Sequence, residues 1–237
     1  METIVIKNKH MFMGVTLFLG LLVSAMAWTE TGVQTGAVIR GSVEIREKDG
    51  RIKADRSNVV VYLEDAPPAG DVPNANLRIL QHGKRYVPEV SPVVAGTTVD
   101  FVNDDNIFHN VFSISPAEPF DLGVYKKASH KSVRFDHPGV VNLYCNIHPN
   151  MVGYVVVLKN PFFMRTGPDG AFEIAGVPPG TYKIKAWQRF GSEASATVIT
   201  AGGQVNGVVL RLKEEKISLA HKNKWGQDYV EPEKDAY

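Results

Sequence analysis

Val140-Val141-Asn142-Leu143-Tyr144-Cys145-Asn146-Ile147-His148-Pro149-Asn150-Met151-Val152-Gly153-Tyr154-Val155-Val156-Val157-Leu158 reads as strand, loop and strand. Val140 to Tyr144 and Tyr154 to Leu158 are apolar runs of strand length, and Pro149-Asn150 breaks the pattern between them. The loop holds the only cysteine of the chain, Cys145, with His148 and Met151 just beyond it. A second histidine lies 36 residues upstream, in Phe108-His109-Asn110-Val111-Phe112. One thiolate, two imidazoles and a thioether are the donor set of a mononuclear copper site. His109, Cys145 and His148 would lie in a plane with the metal, and Met151 on a long, weak axis. Soft sulfur favours Cu(I) and imidazole accepts either oxidation state, so the mixture suits one-electron chemistry. Each residue also has a plainer reading. A lone cysteine is commonly a small buried hydrophobe, a methionine is commonly core, and a histidine beside proline is commonly a loop residue. Their joint spacing on a strand-loop-strand unit favours the metal. Zinc ordinarily takes four strong ligands and has little use for a thioether, and a dinuclear copper centre would need a second cysteine.

Residues 1–27 read as an export signal. Lys7 and Lys9 open it, Met11 to Val23 is an apolar run, and Ala25-Met26-Ala27 supplies the small residues a signal peptidase accepts. An uncleaved anchor is the alternative, because the apolar stretch can be extended to Trp28, near the lower limit for spanning a bilayer. A periplasmic or otherwise exported location is therefore expected, with membrane contact only through this segment. A single cysteine forms no internal disulfide, and a free thiol in an oxidising compartment is a liability unless a metal occupies it. The chain has 26 basic and 25 acidic residues, and loss of Glu2, Lys7 and Lys9 with the signal brings the balance to zero. That excludes a strong global field for nucleic acid or a charged membrane surface.

The rest of the chain reads as strands and turns. Ala37 to Ile45 alternates, Val59-Val60-Val61-Tyr62-Leu63 is a short apolar run, and Ala66 to Pro73 is a breaker cluster. Strands resume at Leu77–Gln81, Val90–Val94 and Thr98–Asn103, the last followed by the polar loop Asn103-Asp104-Asp105-Asn106. After Asn160-Pro161, the turns Gly167-Pro168-Asp169-Gly170 and Val177-Pro178-Pro179-Gly180 introduce Ala171–Ile174 and Thr181–Trp187. Ala196–Ile199 and Val208–Leu212 complete a small antiparallel sandwich. Beyond Lys213 the chain is charged, with one short helical stretch predicted over 216–223. Trp187 and Tyr182 are expected in the core of the last sandwich. His82, His130, His137 and His221 are expected to be solvated, as is the acidic pair Asp104-Asp105, which could alternatively dock a partner.

Residues 77–159 resemble the cupredoxins, and among them the amicyanin and plastocyanin-like group. The likeness is carried by Gly96-Thr97-Thr98-Val99-Asp100-Phe101-Val102-Asn103, His109-Asn110-Val111 and Tyr144 to Met151. The two-residue gap between His148 and Met151 is similar to the short loop of amicyanins. In that group proline commonly precedes the second histidine, whereas Ile147 stands here and keeps an N–H near the sulfur. The resemblance implies a Greek-key sandwich, a bridging role for Asn110 between the two ligand loops, and an exported one-electron carrier. Residues 166–213 resemble the second half of a carboxypeptidase regulatory-like (transthyretin-like) domain, and residues 36–66 its first half.

The expected organisation is all-β. It runs as a signal (1–27), the first part of the regulatory-like sandwich (28–66), a linker (67–76), the cupredoxin (77–159), the second part of the sandwich (160–213) and a charged tail (214–237). The cupredoxin is joined to, or inserted in, the second sandwich. The expected function is one-electron transfer through a single type 1 copper held by His109, Cys145, His148 and Met151, with redox proteins as partners. Copper binding or delivery without electron transfer is the alternative. An enzyme is not expected, because the sequence has no His-x-His clusters to build a second copper site.

Overall fold

The computed structural model describes residues 36–68, 77–215 and 221–229. The expected signal, positions 69–76 of the linker and positions 216–220 of the predicted short helix lie outside the described residues. The described end of that stretch, 221–223, is not helical. Among the described residues there is no helix at all, and so none long and apolar enough to cross a membrane.

Two strands precede the linker, β1 (Ala37–Arg46) and β2 (Val60–Leu63). The middle of the chain forms β3 (Leu77–Gln81), β4 (Tyr86–Val87), β5 (Val90–Val94), β6 (Thr97–Asn103), β7 (His109–Ser113), β8 (Phe120–Tyr125), β9 (His130–Phe135), β10 (Gly139–Tyr144) and β11 (Val152–Leu158). The remainder forms β12 (Phe163–Arg165), β13 (Ala171–Val177), β14 (Gly180–Trp187), β15 (Ala194–Thr200) and β16 (Gln204–Lys213). They make four sheets, ordered β13-β1-β16, β12-β2-β14-β15, β5-β11-β10-β7-β8 and β4-β3-β6-β9.

The first two sheets enclose one core, in which Ile39, Val43, Val61 and Leu63 meet Ile174, Ile184, Leu210 and Leu212. Strands from both ends of the chain therefore share a single apolar interior. The other two sheets enclose a second core, built on Ile79, Val99, Phe101, Val111, Phe135, Leu143 and Val155, and this core contains Cys145 and Met151. The pairing is mixed: β1–β16, β5–β11 and β3–β6 are parallel, and the remaining ladders are antiparallel.

The two unbroken apolar runs in the sequence have a common explanation. A strand with one solvated face alternates, whereas one buried on both faces reads as a continuous apolar run. In β2, Val61 and Leu63 point into the first core while Val60 and Tyr62 point away from it. In β11, Val155 and Val157 point into the second core while Tyr154, Val156 and Leu158 point away. The outward residues of both strands meet in a third cluster between the sandwiches, with Val90, Val140, Phe163 and Trp187. Trp187 thus lies at this junction, edge-on to Tyr154 at 5.7 Å, and not in the last core as expected; its neighbour on β14, Tyr182, is in that core. Alternation along the strand makes the difference, since Trp187 and Tyr182 stand five residues apart and face opposite ways.

Gly153 connects this packing to the loop before it. A Cβ there would come within 2.9 Å of the Cβ and ring of Tyr86. The fully buried Tyr86 in turn donates its hydroxyl to the carbonyl of Tyr144 at 3.0 Å, beside Cys145. Gly153→Ala should cost about 1–3 kcal/mol through overpacking, because the base of the Tyr86 side chain cannot swing aside. Urea denaturation of the metal-free protein would measure it, and an unchanged midpoint would show that Tyr86 yields freely.

Candidate metal centre

Leu143, at the inward side of β10, points into the second core, and Cys145 follows two residues on with the same facing. The ladder to β11 ends at Tyr144↔Val152, so Cys145 leaves the sheet just where its side chain is committed inward. It is completely buried. The loop then turns at Pro149-Asn150, with the Met151 amide donating to the His148 carbonyl at 3.0 Å. This closure returns Met151 to the same core, 1 % exposed, and leaves His148 half-buried above it. His109 arrives from β7, where every residue is buried, and points to the same side as Val111.

His109, Cys145 and His148 converge. The Cys145 sulfur lies 4.0 Å from His109 Nδ1 and 3.6 Å from His148 Nδ1, and the two rings are 4.9 Å apart. The three donor atoms all fall within 4.8 Å of one another. Met151 shares the buried cluster with Cys145. Three of the four predicted residues therefore converge although they come from two separate stretches of sequence, and the fourth, Met151, is buried in the same core as Cys145.

The neighbouring groups set the charge states. Burial pushes the Cys145 thiol up, but the His109 imidazole and the backbone amides of Asn110, Ile147 and His148 outweigh it and hold the thiol below its ordinary value. The Ile147 amide is the donor that a proline would remove. Burial pulls His109 down, yet Cys145 and Asp105 raise it above the usual imidazole range. His148 is lowered, by burial first and then by the positive charges of His109 and Lys84.

Asn110 joins the ligand loops, as the resemblance implies. Its Oδ1 accepts the Asn146 amide at 3.2 Å and its Nδ2 donates to Asp121 at 2.7 Å.

Two features differ from the sequence reading. Asp105 is not a solvated loop carboxylate: it accepts a hydrogen bond from His109 Nε2 at 2.8 Å, and its side chain is 14 % exposed. The second is the stretch 221–229, which packs on the Cys145 strand end. His221 is not solvated; its ring stacks on Tyr144 at 4.3 Å. The Tyr229 hydroxyl donates to the Cys145 carbonyl at 2.7 Å, and the Lys224 amide donates to Asn146 Oδ1 at 3.0 Å. The Lys224 ammonium also bonds Asp121 at 2.6 Å. Nothing local in a run of polar residues at 221–229 points to these contacts. The one available signal was a His, a Trp and a Tyr within an otherwise polar stretch. His82, His130 and His137 are exposed, as expected.

No protein-family model matches the chain, and no curated protein does. Among solved structures, a purple cupredoxin from Nitrosopumilus maritimus is similar at 28% identity, over 35% of this chain and 99% of its own, with a TM-score of 0.32. A copper-containing nitrite reductase from Thermus scotoductus is similar at 25% identity, over 38% of this chain and 25% of its own, with a TM-score of 0.35. A reduced amicyanin variant is similar at 24% identity, over 41% of this chain and 97% of its own, with a TM-score of 0.34.

Asp121 makes the docking of 221–229 sensitive to acid. Burial raises its carboxyl, but Lys224, the Gly123 amide and Asn110 outweigh this and hold it below its ordinary value. A depressed carboxyl contributes stability that is complete above its unfolded pKa and is lost as pH falls through the lowered folded value. The tail contacts should therefore hold at neutral pH and weaken below about pH 4. Lys224 amide exchange and the ring-current shift of His221 over Tyr144 would report it by NMR. Asp121→Asn should speed that exchange at neutral pH; exchange as slow as in the unaltered protein would remove Asp121 from the account.

Proposed function

We propose that the chain is an exported one-electron carrier built around a single type 1 copper, which His109, Cys145 and His148 would hold closely and Met151 weakly. The observation that carries this reading is a fully buried, unbridged thiol facing two imidazole nitrogens at 3.6 and 4.0 Å. Copper would supply reversible Cu(I)/Cu(II) chemistry there. The donor set fits that metal: two nitrogens, one soft sulfur and a buried thioether, the combination that suits copper and not zinc.

The ligands are held by contacts that do not involve a metal. Cys145 is fixed by the end of β10 and by the Tyr229 hydroxyl on its carbonyl, His109 by a fully buried strand, and the loop by Asn110. A framework of this kind holds the ligand geometry constant between oxidation states, which lowers the reorganisation that electron transfer must overcome. His148 is the only close ligand that is not itself fully buried, and Ile147, 42 % exposed, with the exposed Pro149 and Asn150, surrounds it on the loop. It is the natural port for redox protein partners. Residues 28–66 and 160–213 belong to this reading as one split sandwich carrying the inserted segment 77–159. Export rests on the basic and apolar pattern of residues 1–27.

The purified protein reconstituted with Cu(II) should be intensely blue, with the narrow hyperfine splitting of type 1 copper in its EPR spectrum, and should bleach and recover on reduction and oxidation. A colourless Cu(II) form with ordinary tetragonal EPR would overturn the assignment. Cys145→Ser should abolish the colour, because a hydroxyl cannot replace the soft thiolate.

Met151→Leu should keep the copper and the colour but raise the reduction potential, since loss of a weak thioether donor would remove density that favours Cu(II). Protein-film voltammetry would measure it. A lowered potential, or complete loss of metal, would count against Met151 as the weak ligand.

A further inference from the structure

The turn joining β3 to β4 is built around Asp105. His82 and Arg85 exchange backbone hydrogen bonds at 2.9 and 3.2 Å, and the two residues between them, Gly83 and Lys84, have φ of 61° and 57°. Two successive left-handed residues make a type I′ hairpin turn. Glycine adopts that conformation freely, whereas for lysine it costs on the order of 1 kcal/mol. The return is that both central amides converge on one carboxylate: Gly83 donates to Asp105 Oδ1 at 2.7 Å and Lys84 to Oδ2 at 2.9 Å. The Asp105 amide donates to Asn103 Oδ1 at 3.0 Å, and Asn103 Nδ2 donates to the carbonyls of Ile107 and Tyr125. Two amides thus hold the carboxylate in one orientation, while Asn103 fixes the backbone that carries it.

Its remaining contact is His109 Nε2, at 2.8 Å. An ionised carboxylate only accepts hydrogen bonds. Nε2 must therefore carry a proton, which in the neutral ring leaves the Nδ1 lone pair free toward Cys145. The geometry points to Asp105 as the positioning residue of the centre, which locks His109 in the tautomer that presents Nδ1 to the metal and lowers the reduction potential. The second effect follows from the first contact: a carboxylate on the far N–H makes an imidazole a stronger donor, and a stronger donor favours Cu(II) over Cu(I). This inference rests on the copper reading proposed above.

Asp105→Asn removes the charge while keeping an oxygen that can accept from Nε2. Its Cu(II)-to-Cu(I) affinity ratio should fall about tenfold, a rise of about 59 mV in potential, with the blue colour retained. Asp104→Asn is the control for a through-space charge effect, since Asp104 is exposed and bonds His82, not His109. Its potential should stay near that of the unaltered protein. An equal rise in both variants, or none in Asp105→Asn, would overturn the inference. Because Asp105 also anchors the turn, the substitution could unfold the loop, so NMR of the unaltered protein is the second arm. In the metal-free and Cu(I) forms the His109 Nε2 proton should resonate far downfield and exchange slowly. With the ring neutral, a fast-exchanging proton there, or a single proton on Nδ1 in its place, would refute the tautomer lock without touching the copper reading. Failure of the unaltered protein to turn blue would refute that reading instead.

Discussion

The side-chain amide of Asn110 holds the two halves of the centre together. Its oxygen takes the amide of Asn146 and its nitrogen goes to Asp121, so the strand that carries His109 cannot move away from the loop that carries Cys145 and His148. Asn110 is fully buried. Losing either bond would strand a buried polar group, at a cost of about 1–3 kcal/mol. Asp121 then passes the constraint outward to Lys224, and Lys224 returns it to Asn146 through its own amide. The closed circuit Asn110–Asp121–Lys224–Asn146 surrounds the start of the ligand loop, and each member has two partners within it.

Charge at the site is arranged in sequence from one side to the other. The Asp105 carboxyl is pushed up by burial, but the amides of Lys84 and Gly83 and the His109 imidazole outweigh that and hold it at about 2. It is therefore a fixed negative charge behind His109. His109 lies between this charge and the Cys145 sulfur, and both draw its protonation upward. His148 faces the same sulfur at 3.6 Å but has no carboxylate bonded to it, and burial with two positive neighbours disfavours its protonation. The two imidazoles are thus unlike before any metal arrives: one is buried and backed by a carboxylate, the other half-buried and unbacked. A metal that bound both would find one strong, fixed donor and one that is more easily given up.

The second sandwich is not an independent appendage. Val60 and Tyr62 on β2, Phe163 on β12 and Trp187 on β14 cover the outward faces of Tyr154, Val156 and Leu158 on β11 and of Val90 on β5. Arg165 donates to the Val90 carbonyl at 3.0 Å, and Arg189 pairs with Glu89. β11 begins at Val152, directly after Met151. Covering its outer face lets it be apolar throughout, and the strand that ends the ligand loop is thereby buried on both sides.

Beside the bridging place of Asn110, which the family resemblance implied, the sequence by itself determined the four candidate ligands, the strand-loop-strand unit at 140–158 and the all-β class. These were legible because each depends on local spacing: strand alternation, a turn at Pro149-Asn150, and a thiol, two imidazoles and a thioether at intervals a metal can use. The Val-rich runs at 59–63 and 154–158 were legible as strands, but not as the two sides of one junction, since a continuous apolar run says only that both faces are covered and not by what. Trp187 went to the wrong core for the same reason. Asp105 and His221 read as solvated groups, and Lys224 and Tyr229 only as part of a charged tail, because nothing in their own surroundings in sequence is apolar or periodic. Their roles come from segments distant in the chain: the Gly83-Lys84 turn that orients Asp105, and the return of residues 221–229 to the end of β10. Hydrogen bonds of that kind have no period and no fixed spacing, and only the closing of the fold decides which polar groups meet.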